Sequence, residues 1–220
     1  MKIIKKKTEK RLINEFLLIF KNCAQKKEKT KQRLSFVLSG GKSPINLYKQ
    51  LSKLKINWNN IDFFWGDERF VKKNSKHSNY GLAKKYLLDR INIKNKNLYY
   101  VNTNRKTVAE SANNYEKKIK KYFKNKKISF DLILLGMGND GHIASIFPEK
   151  INFKVKKITG FVIRKDFKRI TLNLNTINKS KKIFLWLNNK KKSIIYKKLI
   201  LKKLIPVNYL KKSSTTIFSV

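Results

Sequence analysis

The stretch FDLILLGMGNDGHIASIFP, residues 130–148, decides how the chain is read. From Phe130 to Leu135 it carries almost no polar residue. That is the pattern of a strand buried on both faces, as in a parallel sheet covered by helices on each side. The second half holds three of the chain's eight glycines and one of its two histidines. Its glycines spell G-x-G-x-x-G, so the stretch is either a dinucleotide loop or the setting of a reactive His142.

Working outward, apolar residues fall into alternating strand and helix patterns. Leu12, Ile13, Phe16, Leu17, Ile19 and Phe20 have helical spacing within residues 10–27. Arg33 to Leu38 is a short apolar strand that runs into Ser39-Gly40-Gly41. Pro44 suits the first turn of a following helix, with Ser43 as its expected N-cap. Ile61 to Trp65 reads as a second strand closed by Gly66-Asp67. Asn79–Leu88, Val108–Phe123 and Lys192–Leu204 read as helices. Phe161–Ile163, Arg169–Leu174 and Ile183–Leu187 read as strands. The expected class is α/β, a mainly parallel sheet flanked by helices on both faces, in a Rossmann-like three-layer sandwich. No linker or repeat breaks the chain, so residues 1–220 are expected to form a single domain.

Composition narrows the function classes. With 54 basic and 13 acidic residues the formal net charge is +41, which invites a nucleic-acid reading. The lysines are spread along the whole chain, arginine is scarce, and Lys, Ile and Asn, all with A/T-rich codons, dominate. Biased composition with a solvated surface therefore accounts for the charge, and no specific nucleic-acid partner is expected. One cysteine and two histidines exclude a disulfide framework and leave too few ligands for a zinc site. No apolar run has the length of a membrane span, and no signal-peptide pattern opens the sequence. A cytoplasmic protein without membrane contact, metal or cofactor is expected.

Three Gly-bearing loops follow strands, where α/β sheets bind ligands. In the first, Gly40 and Gly41 let the backbone approach a ligand, so it is a phosphate cradle or an ordinary strand-to-helix turn. In the second, Asp67, Glu68 and Arg69 follow an apolar strand in a chain poor in acids. They form a functional group or a surface ion-pair cluster. In the third, the dinucleotide reading fails. The region about 20 residues on, Lys156 to Gly160, lacks the required carboxylate. Asp140 would face a pyrophosphate, and Pro148 would stop the helix early. His142 as an acid–base group is the better reading, at the start of a short helix whose N-terminus keeps the ring neutral. Asp140 either opposes that effect or orients the ring. His77 lies in a polar run and reads as surface.

Together these loops resemble the 6-phosphogluconolactonases. The resemblance rests on Ser39-Gly40-Gly41-Lys42-Ser43-Pro44, Trp65 to Val71, Ser78 to Leu82, Asp131 through Pro148, and Arg169 to Leu172. It runs in order from about residue 30 to 205. The related glucosamine-6-phosphate deaminases share the Asp-Gly-His core but carry a glutamate where this chain has Phe147, which moves no proton. The resemblance implies hydrolysis of 6-phospho-D-glucono-1,5-lactone to 6-phospho-D-gluconate in the oxidative pentose phosphate pathway, by a monomer. His142 would be the base. Asp67 would orient the histidine or the lactone hydroxyls. Gly40, Gly41, Lys42, Ser43, Arg69 and Arg169 would hold the phosphosugar, with Asp140, Gly141 and Ser145 near it. Backbone N–H groups of residues 136–141 would face an oxyanion. The family's Gly-x-x-Lys element is degraded here to Asn188-Asn189-Lys190-Lys191-Lys192. Helical register favours Lys191 as the phosphate lysine, with Lys190 and Lys192 as alternatives. The competing functions are a sugar-phosphate isomerase or deaminase of the same fold, and a basic nucleic-acid-binding protein.

Overall fold

The computed structural model describes residues 1–124, 127–151, 155–201 and 205–220. Its first helix, α1 (Glu9–Lys29), starts where the Thr8 hydroxyl accepts the Arg11 N–H at 3.3 Å. It ends in a lysine-rich turn that suits the negative end of the helix dipole. It buries Leu12, Ile13, Phe16, Phe20 and Ala24, the stripe that its spacing predicts.

Seven strands form the main sheet: β1 (Lys2–Lys5), β2 (Leu34–Leu38), β3 (Ile61–Trp65), β5 (Leu98–Tyr99), β6 (Leu132–Gly136), β9 (Lys182–Leu187) and β10 (Thr215–Ser219). Their order is β1-β10-β9-β6-β2-β3-β5, with every pair parallel. Successive side chains point to opposite faces, and both faces are dry. Phe36, Leu38, Phe63, Trp65, Leu132 and Leu134 pack with α1, α2 (Ile45–Leu51) and α3 (Asn79–Tyr86). Val37, Phe64, Ile133 and Leu135 pack on the other side with α4 (Val108–Tyr122), α5 (Leu174–Asn178) and part of α6 (Lys190–Ile200). This is the expected α/β sandwich. Among the described residues no helix is long and apolar enough to cross a membrane.

One expectation changes. The strands near 161 and 169 do not join the main sheet. With β4 (Asp67–Arg69), β7 (Thr159–Ile163) and β8 (Lys168–Leu172) form a separate antiparallel sheet in the order β4-β8-β7. The bend between sheets is at Gly66. Its N–H still bonds Leu38 O at 3.0 Å, while its carbonyl accepts from Leu172 of β8 at 2.8 Å. The C-terminal segment adds a strand that the apolar pattern does not announce, β10, which lies between β1 and β9.

The chain leaves β2 through α2 for β3 on one side, and leaves β6 for β9 on the other. The β2–β6 boundary is therefore the topological switch point, where such sheets open a crevice at their carboxyl ends. The ladder between them stops at Val37–Ile133. Beyond it the Gly136 N–H donates to the Ser39 hydroxyl at 3.0 Å.

Candidate active site

A cavity of about 180 Å³ sits at this switch point, bordered by the ends of β2, β3 and β6, by β4 and β8, and by α6. All three Gly-bearing loops meet there, although they are widely separated in sequence. Gly40, Gly41 and Ser43 come from the first, Asp67 and Arg69 from the second, and Gly138 and His142 from the third; Arg169 and Lys192 complete the wall.

The second loop works by strand alternation. Along β4, Asp67 and Arg69 face the cavity, whereas Glu68 turns the other way into α3. Asp67 is 7% exposed. Its Oδ2 accepts from the Ser145 hydroxyl at 2.6 Å and its Oδ1 from the Asn79 amide at 3.2 Å. Arg69 donates to the His77 carbonyl at 2.9 Å, and Arg169 pairs with Asp166. Each arginine also keeps a buried Nε with no protein partner. The two residues are direct partners across the β4–β8 pair. Two like charges opposed on a sheet repel, and an anion between them would relieve that cost.

His142 is not on a helix. Residues 137–147 form a chain of turns with isolated bridges from Met137 to Ile143 and from Ile143 to Ile146. Ala144 adopts a left-handed φ of 48°. Pro148 opens only a short 3₁₀ turn. A helix dipole therefore does not act on the ring. Asp140 does, accepting or sharing the Nδ1 proton at 2.6 Å while taking the His142 N–H at 3.2 Å. Burial pushes the Asp140 carboxyl up, but the charge and hydrogen bonds of His142 outweigh it and hold that carboxyl below its ordinary range. Of the roles open to Asp140 and Asp67, orienting the imidazole falls to Asp140. The ring lies with its centroid 4.6 Å from that of Phe147, the planes tilted by 40°; Phe147 stands at the deaminase glutamate position. A Cβ at Gly138 would lie 2.1 Å from His142 Nδ1, so any other residue there displaces the ring.

Several expected contacts fall elsewhere. Lys42 is exposed and points to a neighbouring groove, away from the cavity. Ser43 does not cap α2, whose N-cap is Pro44 without a side-chain bond. Ser145 is buried with its hydroxyl committed to Asp67. Gly141 supplies a left-handed turn, φ 86°, rather than a cavity wall. The N–H groups of Gly136, Gly138 and Gly141 are bonded to Ser39 Oγ, His142 O and Gly138 O, so they do not face an oxyanion. Lys191 is exposed, and Lys192 reaches the cavity. Asn189 caps α6 by accepting the Lys192 N–H at 3.0 Å, which turns the third lysine inward. Its Nζ donates to Met137 O at 2.7 Å and Asn139 Oδ1 at 2.9 Å. Burial lowers the Lys192 ammonium from its ordinary range; Asp140 opposes the shift and Lys191 adds to it.

Sequence reasoning passed over Asn79 as a site residue, and it placed Glu68 in the acidic cluster without its part in holding the start of α3. Asn79 is 1% exposed and lines the cavity. Glu68 is 2% exposed and accepts the N–H groups of Arg69, Asn79 and Tyr80 at 2.7–2.8 Å and the Ser78 hydroxyl at 3.2 Å. The signal lay in the spacing. A carboxylate ten residues before a Ser-Asn-Tyr-Gly helix start fits donors at that N-terminus. His77, read as surface, is exposed, its ring 5.0 Å from Phe167.

Comparison with known proteins gives the chain its family. The 6-phosphogluconolactonase of Nostoc sp. is 37% identical over 154 residues, covering 68% of this chain and 64% of the relative. That of Thermotoga maritima is 34% identical over 164 residues, covering 74% of this chain and 72% of the relative. The crystal structure of 6-phosphogluconolactonase from Thermotoga maritima matches with a TM-score of 0.85 at 28% identity, covering 98% of this chain and 97% of that one. Residues 7–218 match the group described as glucosamine-6-phosphate isomerases/6-phosphogluconolactonase. With its loops assembled around one cavity and these relatives beside it, the chain belongs to the 6-phosphogluconolactonase family.

Proposed function

We propose that this cavity hydrolyses 6-phospho-D-glucono-1,5-lactone to 6-phospho-D-gluconate by general-base catalysis without a metal or cofactor. The carrying observation is the His142–Asp140 contact of 2.6 Å at the wall of the cavity that Arg69 and Arg169 also line. Nδ1 is engaged by Asp140, which leaves Nε2 to serve the substrate.

The phosphate sits between Arg69 and Arg169, with the Gly40–Gly41 turn, Ser43 and Lys192 around it. Holding this remote group positions the ester carbonyl. Nε2 takes a proton from water as the water oxygen bonds to the carbonyl carbon. The tetrahedral intermediate collapses, the bond to the ring oxygen breaks, and the imidazolium returns the proton to that oxygen. Asp140 holds the ring and balances its charge while protonated. Asp67, fixed by Ser145 and Asn79, accepts hydrogen bonds from lactone hydroxyls.

Among the described residues no three His, Cys, Asp or Glu side chains cluster as a metal site needs. The test is lactone disappearance above the spontaneous rate, wild type against His142→Ala. Loss of a general base lowers the enzymatic rate by about 10²–10⁴-fold. A His142→Ala protein with undiminished turnover refutes the mechanism. Ammonia release from glucosamine 6-phosphate would refute the lactonase assignment.

A further inference from the structure

We infer that Asn79 is a positioning residue that fixes the anion-binding turn and Asp67 relative to each other. This rests on the proposed function above. Three observations carry it. The Asn79 side-chain oxygen accepts the Gly41 N–H at 3.3 Å, at the left-handed residue of the first loop. Its amide nitrogen donates to both the carbonyl and the carboxylate of Asp67, at 2.9 and 3.2 Å. Its backbone N–H is anchored at 2.7 Å on the buried Glu68. One carboxamide thus spans the two loops that meet phosphate and sugar hydroxyls.

The packing leaves this residue little freedom. A Cβ on Gly40 would lie 2.1 Å from the Asn79 carboxamide carbon, so the turn rests directly on the amide. Asn79 is the first residue of α3, capped by Ser78, whose hydroxyl accepts the Gly81 N–H at 3.0 Å. The helix start fixes the backbone, Glu68 fixes the helix start, and the amide transmits that placement to both loops. A carboxamide is the group required, since one end must accept from a backbone N–H and the other must donate to a carboxylate. Aspartate supplies the acceptor but donates only when protonated.

That asymmetry gives the test. In Asn79→Asp, the introduced side chain, when ionised, faces Asp67 across the former hydrogen bond, and the two carboxylates repel. Protonation restores a donor in the same place. We expect kcat of Asn79→Asp to fall roughly 10- to 100-fold near neutral pH, the scale of a misplaced reacting group, with KM moving less. The deficit relative to wild type should shrink as pH is lowered. Asn79→Ala removes the Gly41 contact and should weaken inorganic phosphate binding by about tenfold, measured by titration calorimetry.

Melting curves show whether each variant is folded. Should Asn79→Asp not fold, Asn79→Ser gives the same kcat loss, without recovery at low pH. Wild-type kcat in Asn79→Asp across the pH range, or a deficit independent of pH, overturns the inference. So does unchanged phosphate affinity in Asn79→Ala, a readout that needs no lactone turnover. A wild type that hydrolyses no lactone would refute the proposed function, whereas an active wild type equalled by Asn79→Asp refutes only the role of Asn79.

Discussion

Arg69 and Arg169 stand directly opposite each other in the antiparallel β4–β8 pair, a hundred residues apart in sequence and both on the cavity wall. Arg169 has an ion-pair partner in Asp166, whereas Arg69, among the described residues, has only the neutral His77 carbonyl. Opposed like charges on a sheet cost stability, of the order of the 0.2–1 kcal/mol by which cross-strand pairs act. On the proposed function, a phosphate dianion held between the two guanidinium groups would offset that cost.

Phosphate should therefore stabilise the folded state. At a hundredfold excess over its dissociation constant a ligand adds about 2.7 kcal/mol, or roughly 5–10 °C in melting temperature for a chain of this size. Arg69→Ala and Arg169→Ala should each raise KM by roughly 10- to 150-fold, the scale of a charge-assisted hydrogen bond, with a smaller change in kcat. The double variant should lose the phosphate-dependent thermal shift. Differential scanning fluorimetry with and without phosphate, at fixed ionic strength, reads both. A full shift in the double variant places the anion elsewhere.

Gly138 and Asp140 hold His142 from two sides. A methyl group at Gly138 would lie 2.1 Å from Nδ1 and 2.6 Å from the Asp140 carboxylate, so Gly138→Ala must push the ring off its partner. Asp140→Asn keeps the shape and removes the charge that balances the imidazolium. Both changes should lower kcat by roughly 10- to 10³-fold, within the range of general acid–base effects, while KM and phosphate binding stay near wild type. A change confined to KM in either variant would move the chemistry away from His142.

The strands that flank the cavity were legible because the sequence there is simple. β2, β3, β6 and β9 are almost wholly apolar and run into loops rich in glycine or asparagine, so two-sided burial and loop positions follow from pattern alone. β1 and β10 escaped that reading. Lys-Ile-Ile-Lys is too short and charged to resemble a strand, and it exists only because β10 pairs with it. The separate β4-β8-β7 sheet also hides from periodicity, since alternation sets a strand's faces but not its partner. At the site, residue types were readable and directions were not. The expected helix at His142 gave way to turns because Ala144 takes a left-handed conformation. The choice among Lys190, Lys191 and Lys192 turned on the Asn189 cap, which sets the register of α6.

Lys192, not Lys191, should carry the alkaline dependence of phosphate binding. Lys192→Ala should raise KM by about tenfold or more, and Lys191→Ala should leave it close to wild type. Burial lowers the Lys192 ammonium, so it loses its charge at a lower pH than an exposed lysine does. Affinity for inorganic phosphate should then weaken as pH rises into the range just below ordinary lysine titration. Isothermal titration from neutral to alkaline pH tests this. The weakening should be absent in Lys192→Ala, and its persistence there would assign it to another group.

Glu68 should make stability fall as pH rises. Burial pushes its carboxyl from the ordinary 4.5 up to about 7, the N–H groups of Asn79, Tyr80 and Arg69 oppose that shift, and nearby Asp67 adds to it. Between those two values the folded protein keeps a proton that the unfolded chain has released. Folding stability contributed by this proton is complete below about pH 4.5 and is lost as pH rises through about 7. The steepest slope is about 1.4 kcal/mol per pH unit. Glu68→Gln removes the titration. It also turns an amide N–H₂ toward the Tyr80 N–H and the Ser78 hydroxyl, at a cost of about 1–3 kcal/mol for unsatisfied buried donors. The variant should therefore be clearly less stable than wild type near pH 4.5, and the gap should narrow as pH approaches 7. Urea denaturation of both proteins across that range measures the gap directly. A gap that stays constant would mean that the three backbone donors outweigh burial and that Glu68 is ionised throughout.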